Sequence, residues 1–173
     1  MPLPPDRAEI EGRARKVRAL VLDVDGVLTD GKVLLLPDGA EGRTFHVRDG
    51  LGIQLVQAAR IPVAFVSGRD DDVVRRRARE LGVEHVLLGI QDKVAAYEQL
   101  LKDLSLSDAE AAYIGDDLPD LPIIQRCGLG LAVADAASEL RLAAHVVLRT
   151  EGGEGAVREA CELILEAQGA WLR

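Results

Sequence analysis

The chain has 173 residues, 48% of them hydrophobic and 29% charged, with a formal net charge of -8. That length and apolar content are enough for one buried core and call for no second domain, so residues 1–173 read as a single unit. The acidic balance, with a pI near 4.9, argues against nucleic acid or an anionic membrane as partner, although a local cationic pocket can still hold a small anion.

The amino-terminal stretch MPLPPDRAEIEGRARKV has no apolar signal core, and no apolar run is long enough to cross a bilayer. A soluble cytoplasmic protein is expected, with residues 1–15 frayed. The first strand is predicted at ALVLDV, 19–24, and it runs into DVDGVLTDG, which gathers Asp23, Asp25 and Asp30 at the end of the most hydrophobic early segment. Residues 32–47, KVLLLPDGAEGRTFHV, read as two extended pieces around the turn formers Pro37, Asp38 and Gly39, a β-hairpin inserted after the first strand.

Further apolar runs follow at IPVAFVSG (61–68), VEHVLLG (83–89) and AAYIGDD (111–117), with helical segments between them, and LGLAV and HVVL add two more. Strands alternating with helices predict an α/β fold with a mostly parallel, doubly wound, Rossmann-like sheet. The near-continuous hydrophobicity of these strands suits burial on both faces. Cys127 and Cys161 form neither a CxxC pair nor a disulfide framework and read as packing residues.

In open α/β sheets, ligands sit beyond the carboxyl ends of the strands, and that rule collects Asp23, Asp25, Ser67 to Arg69, Lys93, Asp116 and Asp117 in one crevice. Carboxylates packed this closely repel unless a cation joins them, and oxygen ligands favour Mg²⁺. Asp23 fits a nucleophile that forms an aspartyl-phosphate, and Asp25 an acid that protonates the leaving alcohol. Lys93, the Ser67 hydroxyl and backbone N–H groups fit stabilisation of the transferred phosphoryl oxygens. Each residue also has a plainer reading: Ser67 can start a helix, Lys93 can be solvated, Asp30 can shape the turn, and Asp120 after Pro119 can be a helix-start acid or a support for the site.

In DDVVRRRARELGV, Val73, Val74, Ala78 and Leu81 mark an apolar helix face, which turns Arg77 inward while Arg75 and Arg76 flank it. A buried guanidinium needs an anionic partner, either a structural carboxylate or a bound anion. Arg69 follows a strand end and Arg48 follows the hairpin, and the planar fork of arginine suits a carboxylate or phosphate. The loop GGEG reads as a helix start or as a backbone cradle for an anion.

DVDGVLTDG, SGRD, the Lys93 region and YIGDDLPDLP together resemble the four motifs of the haloacid dehalogenase superfamily of phosphatases. FHVRDGLGI after the hairpin, SGRD leading into RRR, and GGEGAVRE near the end resemble, within it, the family acting on 3-deoxy-D-manno-octulosonate 8-phosphate. The resemblance covers most of the chain. It implies a Mg²⁺-dependent phosphatase of lipopolysaccharide precursor synthesis, with the metal held by the Asp23 carboxylate, the Asp25 main-chain carbonyl and Asp116. It implies substrate contacts from Asp25, His46, Val47, Arg48, Asp49, Gly50, Arg69, Arg77 and Lys93. It also implies the absence of a large cap domain, and a homotetramer in which hairpins pack together and neighbouring subunits help close each site.

Two departures bear on that closure: Gln54 stands where the resembled enzymes often carry a basic residue, and the chain stops at AQGAWLR where some continue into a longer tail. Phosphatases of nine-carbon sialic or ketodeoxynononic acid 9-phosphates look similar, but tend to carry an acidic residue in the loop that here holds Arg69, which favours the eight-carbon substrate. A phosphoacceptor signalling module also gathers Asp and Lys on an α/β sheet; Asp25, placed to protonate a leaving group and then activate water, argues for turnover instead.

Overall fold

The structure is a computed structural model that describes residues 7–171. Residues 1–6 of the stretch expected to fray lie outside the described residues. The rest of that stretch is ordered as helix α1 (Arg7–Ala14), which buries Ala14 and packs on the last helix. The Arg13 guanidinium also donates to the Gly128 carbonyl at 2.9 Å, which fastens this helix to the body of the protein.

Six parallel strands make the sheet: β1 (Ala19–Asp23), β4 (Val63–Val66), β5 (His85–Leu87), β6 (Ala111–Gly115), β7 (Leu129–Ala132) and β8 (Val146–Val147), in the order β5-β4-β1-β6-β7-β8. Every residue of β1, β4, β6 and β7 is buried, as continuous apolar runs covered by helices on both faces require. Between β1 and β4 stand the hairpin strands β2 (Leu34–Leu35) and β3 (Glu41–Gly42) and helix α2 (Val47–Ala58). Then come α3 (Asp72–Leu81), α4 (Lys93–Leu104), α5 (Leu121–Ile124), α6 (Ser138–Ala143) and α7 (Ala156–Ala167). Contacts run from α1 to α7 to α2 to α3 in one helical layer, and from α4 to α5 to α6 in another.

The helices start where local chemistry dictates. Asp71 caps α3 by accepting from the Val73 N–H at 2.8 Å, and Gly82, at φ 71°, ends it; Asp92 caps α4 through the Ala95 N–H at 3.0 Å. In the core, the rings of Tyr97 and Tyr113 meet edge to face at 6.3 Å. Cys127 and Cys161 are free and buried in that core.

The order of strands reverses at β1: the chain builds outward through β4 and β5, then returns to the other side of β1 with β6. The crevice at such a reversal is where open α/β sheets bind ligands. Asp23 ends β1, and Asp116 immediately follows β6, its neighbour. The hairpin is much less regular than its sequence span of 32–47 implies, with a ladder of two residue pairs, Leu34 with Gly42 and Leu35 with Glu41. Val33, Leu34, Leu35 and Leu36 are all exposed along it.

Candidate active site

Asp23 emerges from β1 with only 4% of its surface exposed. The Lys93 ammonium, presented by the first residue of α4, lies 2.6 Å from Asp23 Oδ1 and 2.7 Å from Asp120 Oδ1. Asp120 is itself fully buried and is held by Tyr113, whose hydroxyl donates to it at 2.7 Å, and by the Asp116 N–H at 3.1 Å. Carboxylate oxygens of Asp23, Asp116 and Asp120 come within 4.8 Å of one another, a donor set that suits a hard divalent cation. Asp120 already serves Lys93, Tyr113 and a backbone N–H, so its oxygens are occupied and those of Asp23 and Asp116 are the freer pair.

The electrostatics match that grouping. Burial, reinforced by Asp120 and opposed by Lys93, raises Asp23 well above the usual carboxylate range. Burial also pushes Asp116 up to about 6, with Asp120 adding to the rise and a hydrogen bond with Asp23 opposing it. Burial alone would lower Lys93, but the charges of Asp23 and Asp120 outweigh it and keep the ammonium protonated. The site therefore holds excess negative charge that a cation would relieve.

The loop after β1 is shaped to bring Asp25 over this floor. Gly26 takes φ 90°, and a Cβ there would collide with the Asp116 carboxylate, so close approach and backbone conformation both require glycine. Thr29, fully buried, accepts from the N–H groups of Gly26 and Gly31 at 3.3 and 3.2 Å and ties the loop together. Behind it lies the GGEG loop, where a Cβ on Gly152 would run into the Gly26 carbonyl. Gly152 and Gly153 of GGEG are thus packing residues behind the acidic loop. Asp25 Oδ2 accepts from the Ser67 hydroxyl at 3.2 Å, and Ser67 in turn accepts from the Arg69 N–H at 3.1 Å.

The structure brings Asp23, Asp25, Arg69, Lys93 and Asp116 to one crevice of about 490 Å³, also lined by Asp117 and Asp120, with Ser67 buried beside Asp25. It does not bring the other expected contacts there within one chain. His46 caps α2 by accepting from the Arg48 N–H at 3.2 Å, while Val47 and Arg48 face solvent. Asp49 is 1% exposed and accepts from the Arg158 N–H at 2.8 Å, because the first turn of α2 packs on the start of α7. Gly50 is buried under the Arg77 guanidinium. Arg77 is half-buried as expected, but it lies over the Phe45 ring at 5.8 Å and pairs with Glu80 at 3.4 Å. Val73, assigned to the apolar face of that helix, is exposed in its first turn.

Sequence reasoning missed Arg43. Its side chain is 1% exposed, with Nη1 2.8 Å from Asp25 Oδ1, Nη2 3.5 Å from Glu41 and Nε hydrogen-bonded to Asp71. Glu41 also pairs with Arg69 at 2.8 Å. The signal was the two-residue period of an extended segment: Glu41, Arg43 and Phe45 share one face, and that face meets Arg69, Asp25 with Asp71, and Arg77 in turn.

Comparison with known proteins agrees with this geometry. A haloacid dehalogenase-like hydrolase family model matches residues 89–159. The chain is 46% identical to the 3-deoxy-D-manno-octulosonate 8-phosphate phosphatase of Yersinia pestis over 156 residues, 90% of this chain and 83% of that protein. It is 43% identical to the enzyme of the same name from Escherichia coli K12 over 165 residues, 95% of this chain and 88% of that one. Among solved structures, that of the Moraxella catarrhalis phosphatase of this name, in complex with a magnesium ion, a phosphate ion and a KDO molecule, superposes with a TM-score of 0.93 at 40% identity, covering 94% of each chain. With identity at this level along nearly its whole length, and with the acidic crevice at the sheet's reversal point, the chain belongs to the 3-deoxy-D-manno-octulosonate 8-phosphate phosphatase family of haloacid dehalogenase-like hydrolases.

Proposed function

We propose that this protein is a cytoplasmic, Mg²⁺-dependent phosphatase that hydrolyses 3-deoxy-D-manno-octulosonate 8-phosphate to the free sugar acid and phosphate for lipopolysaccharide precursor synthesis. The observation that carries the reading is the placement of Asp23 and Asp25 in the lining of one crevice with Lys93 and Asp116. The protein acts as one catalytic domain, with the hairpin of residues 32–47 in place of a large cap. The Asp23 carboxylate, the Asp25 carbonyl and Asp116 would hold Mg²⁺, which supplies positive charge to the oxygens of the transferring phosphoryl group.

The residues then divide the chemistry. The Asp23 carboxylate attacks phosphorus as the bond from phosphorus to the sugar oxygen breaks, and protonated Asp25 gives its proton to that oxygen. Asp25, now ionised, takes a proton from the water that attacks the aspartyl-phosphate, which releases phosphate and restores both groups. Lys93 orients Asp23 and offsets phosphoryl charge, Ser67 holds Asp25, and Arg69 presents a fork to the anionic substrate. His46, Val47, Arg48 and Arg77 lie outside the crevice of their own chain, and their assignment is to a neighbour's site within a homotetramer built on the exposed hairpin leucines.

The test is phosphate release with Mg²⁺ from the eight-carbon and nine-carbon sugar-acid phosphates in parallel, with Asp23→Asn as control. Selective turnover of the eight-carbon substrate, abolished in D23N, is the expected result. Preference for the nine-carbon substrate would keep the chemistry and overturn the substrate assignment, and no turnover of either would overturn the reading.

A further inference from the structure

The hairpin touches the crevice residues Asp25 and Arg69, and it is not held there by its own ladder, which has two residue pairs, nor by its leucines, which face solvent. Besides the Glu41–Arg69 pair and the packing of Phe45, a buried cation ties it down. Arg43 leaves an exposed strand and inserts a side chain that is 1% exposed among the carboxylates of Asp25, Asp71 and Glu41. Asp71 anchors it from behind. Burial alone would raise Asp71, yet its hydrogen bond with Arg43 and that with the Val73 N–H carry it below its usual range, so the anchor is ionised. Because Asp71 also caps α3, the guanidinium is braced against a helix terminus rather than a loop.

The opposite end of the guanidinium faces Asp25. Nη1 approaches Asp25 Oδ1 to 2.8 Å, but neither atom completes a hydrogen bond, and Arg43 Nη1, Arg43 Nη2 and Asp25 Oδ1 are all buried without a hydrogen-bond partner. Oδ2 is meanwhile engaged by Ser67. Asp25 is thus gripped on one oxygen by a hydroxyl and drawn by charge on the other, which fixes the orientation of its carboxyl plane. Leaving a buried donor and acceptor in contact yet unaligned is costly, and such a pair calls for a structural or functional reason.

We propose that Arg43 is a positioning residue: it acts through Asp25, holding that carboxyl between the hairpin and Ser67 where it can reach the leaving oxygen. The assignment rests on the phosphatase reading and adds to it a residue borne by the hairpin of the same chain.

A double-mutant cycle on the sugar-acid phosphate tests it. Arg43→Met is expected to lower kcat about 100-fold, the cost of misplacing a reacting group by about an ångström, with KM little changed. Arg43→Lys restores part of kcat, and Asp71→Asn, which loosens the anchor, lowers kcat by less than R43M does. Asp25→Asn lowers kcat by roughly 100- to 10,000-fold, as loss of a general acid does, and adding R43M to D25N produces no further loss. Losses that multiply in the double variant, or an R43M effect confined to KM, would overturn the proposal by showing Arg43 to act on substrate or on the fold instead. If R43M does not fold, R43K and D71N, each crossed with D25N, decide the matter by the same criterion. A wild-type protein inactive on the sugar-acid phosphates would sink the phosphatase reading and this inference together; an active wild type with multiplying losses sinks only the inference.

Discussion

The Lys93 ammonium lies 2.6 Å from the Asp23 carboxylate, with side-chain exposures of 11% and 6%. That pair, extended to Asp120 at 2.7 Å, keeps several buried acids tolerable in one small volume. Lys93→Met removes the cation and leaves Asp23, Asp116 and Asp120 facing one another. Breaking a buried pair by deleting one partner costs about 3–5 kcal/mol. At about 2–4 °C per kcal/mol for a chain of this size, the metal-free variant should melt about 6–20 °C lower. Thermal melts check this; an unchanged melting temperature would show that the acids are already protonated or relaxed apart. Turnover should fall by about three orders of magnitude, as loss of a charge-stabilising group at the reacting centre does.

Asp116, pushed up to about 6 by burial and Asp120, makes metal binding and stability depend on pH. Because its folded value lies above its ordinary one, the folded metal-free protein binds this proton more tightly than the unfolded chain does. Ionising Asp116 therefore costs stability above its folded value, and the cost fades as pH falls from there toward the ordinary carboxylate range. A bound cation removes the cost where the carboxylate is ionised. Excess Mg²⁺, at about 100 times its dissociation constant, should raise the melting temperature by about 5–10 °C at neutral pH. The increment should shrink steadily below about pH 6 as protons displace the metal. Melts with and without Mg²⁺ across that range check the sign, and an increment that grows toward acid pH would contradict it.

Gly152 packs directly behind Gly26, so Gly152→Ala forces the GGEG loop away from the loop that carries Asp25. The displaced contact is backbone on backbone and cannot be relieved by a rotamer change. A loss of about 1–3 kcal/mol, the usual cost of overpacking, is expected together with a lower kcat at saturating Mg²⁺. Denaturant titration and steady-state kinetics read the two effects. Full activity in a destabilised variant would uncouple the loop from the site.

Leu34 and Leu35 are 60% and 72% exposed in one chain, an apolar row that a partner copy would cover. Leu34→Asp with Leu35→Asp should dissociate the proposed tetramer into smaller species while the sheet remains folded. Light scattering with circular dichroism distinguishes this from unfolding. A wild-type protein that is monomeric at working concentration would remove the tetramer from the account.

The parts of this protein that obey a local rule were legible in its sequence. Each strand of the main sheet follows from an apolar run such as ALVLD, and Asp23, Asp116 and Lys93 follow from lying at a strand end, just past one, or at the start of the helix after one. The rest needed distances between segments far apart in the chain. Asp49 reads as a substrate contact from its place in HVRDG, yet the packing of α2 on α7 turns it inward to the Arg158 N–H. Val73 has the spacing of a core residue but falls in the solvent-facing first turn of α3. Arg43 sits in a hairpin whose ladder is too short to advertise a fixed register, so its burial becomes visible only when Asp25 and Asp71 are placed around it.

The two cysteines carry a practical consequence. Burial pushes the Cys127 thiol up to about 12 and raises Cys161 further, so at neutral pH neither presents an appreciable thiolate to solvent. The native chain is therefore a silent background for maleimide or spin-label chemistry. A single cysteine introduced at Leu36, on the hairpin beside the turn and 42% exposed, would take the label alone and make the surroundings of the hairpin a spectroscopic signal.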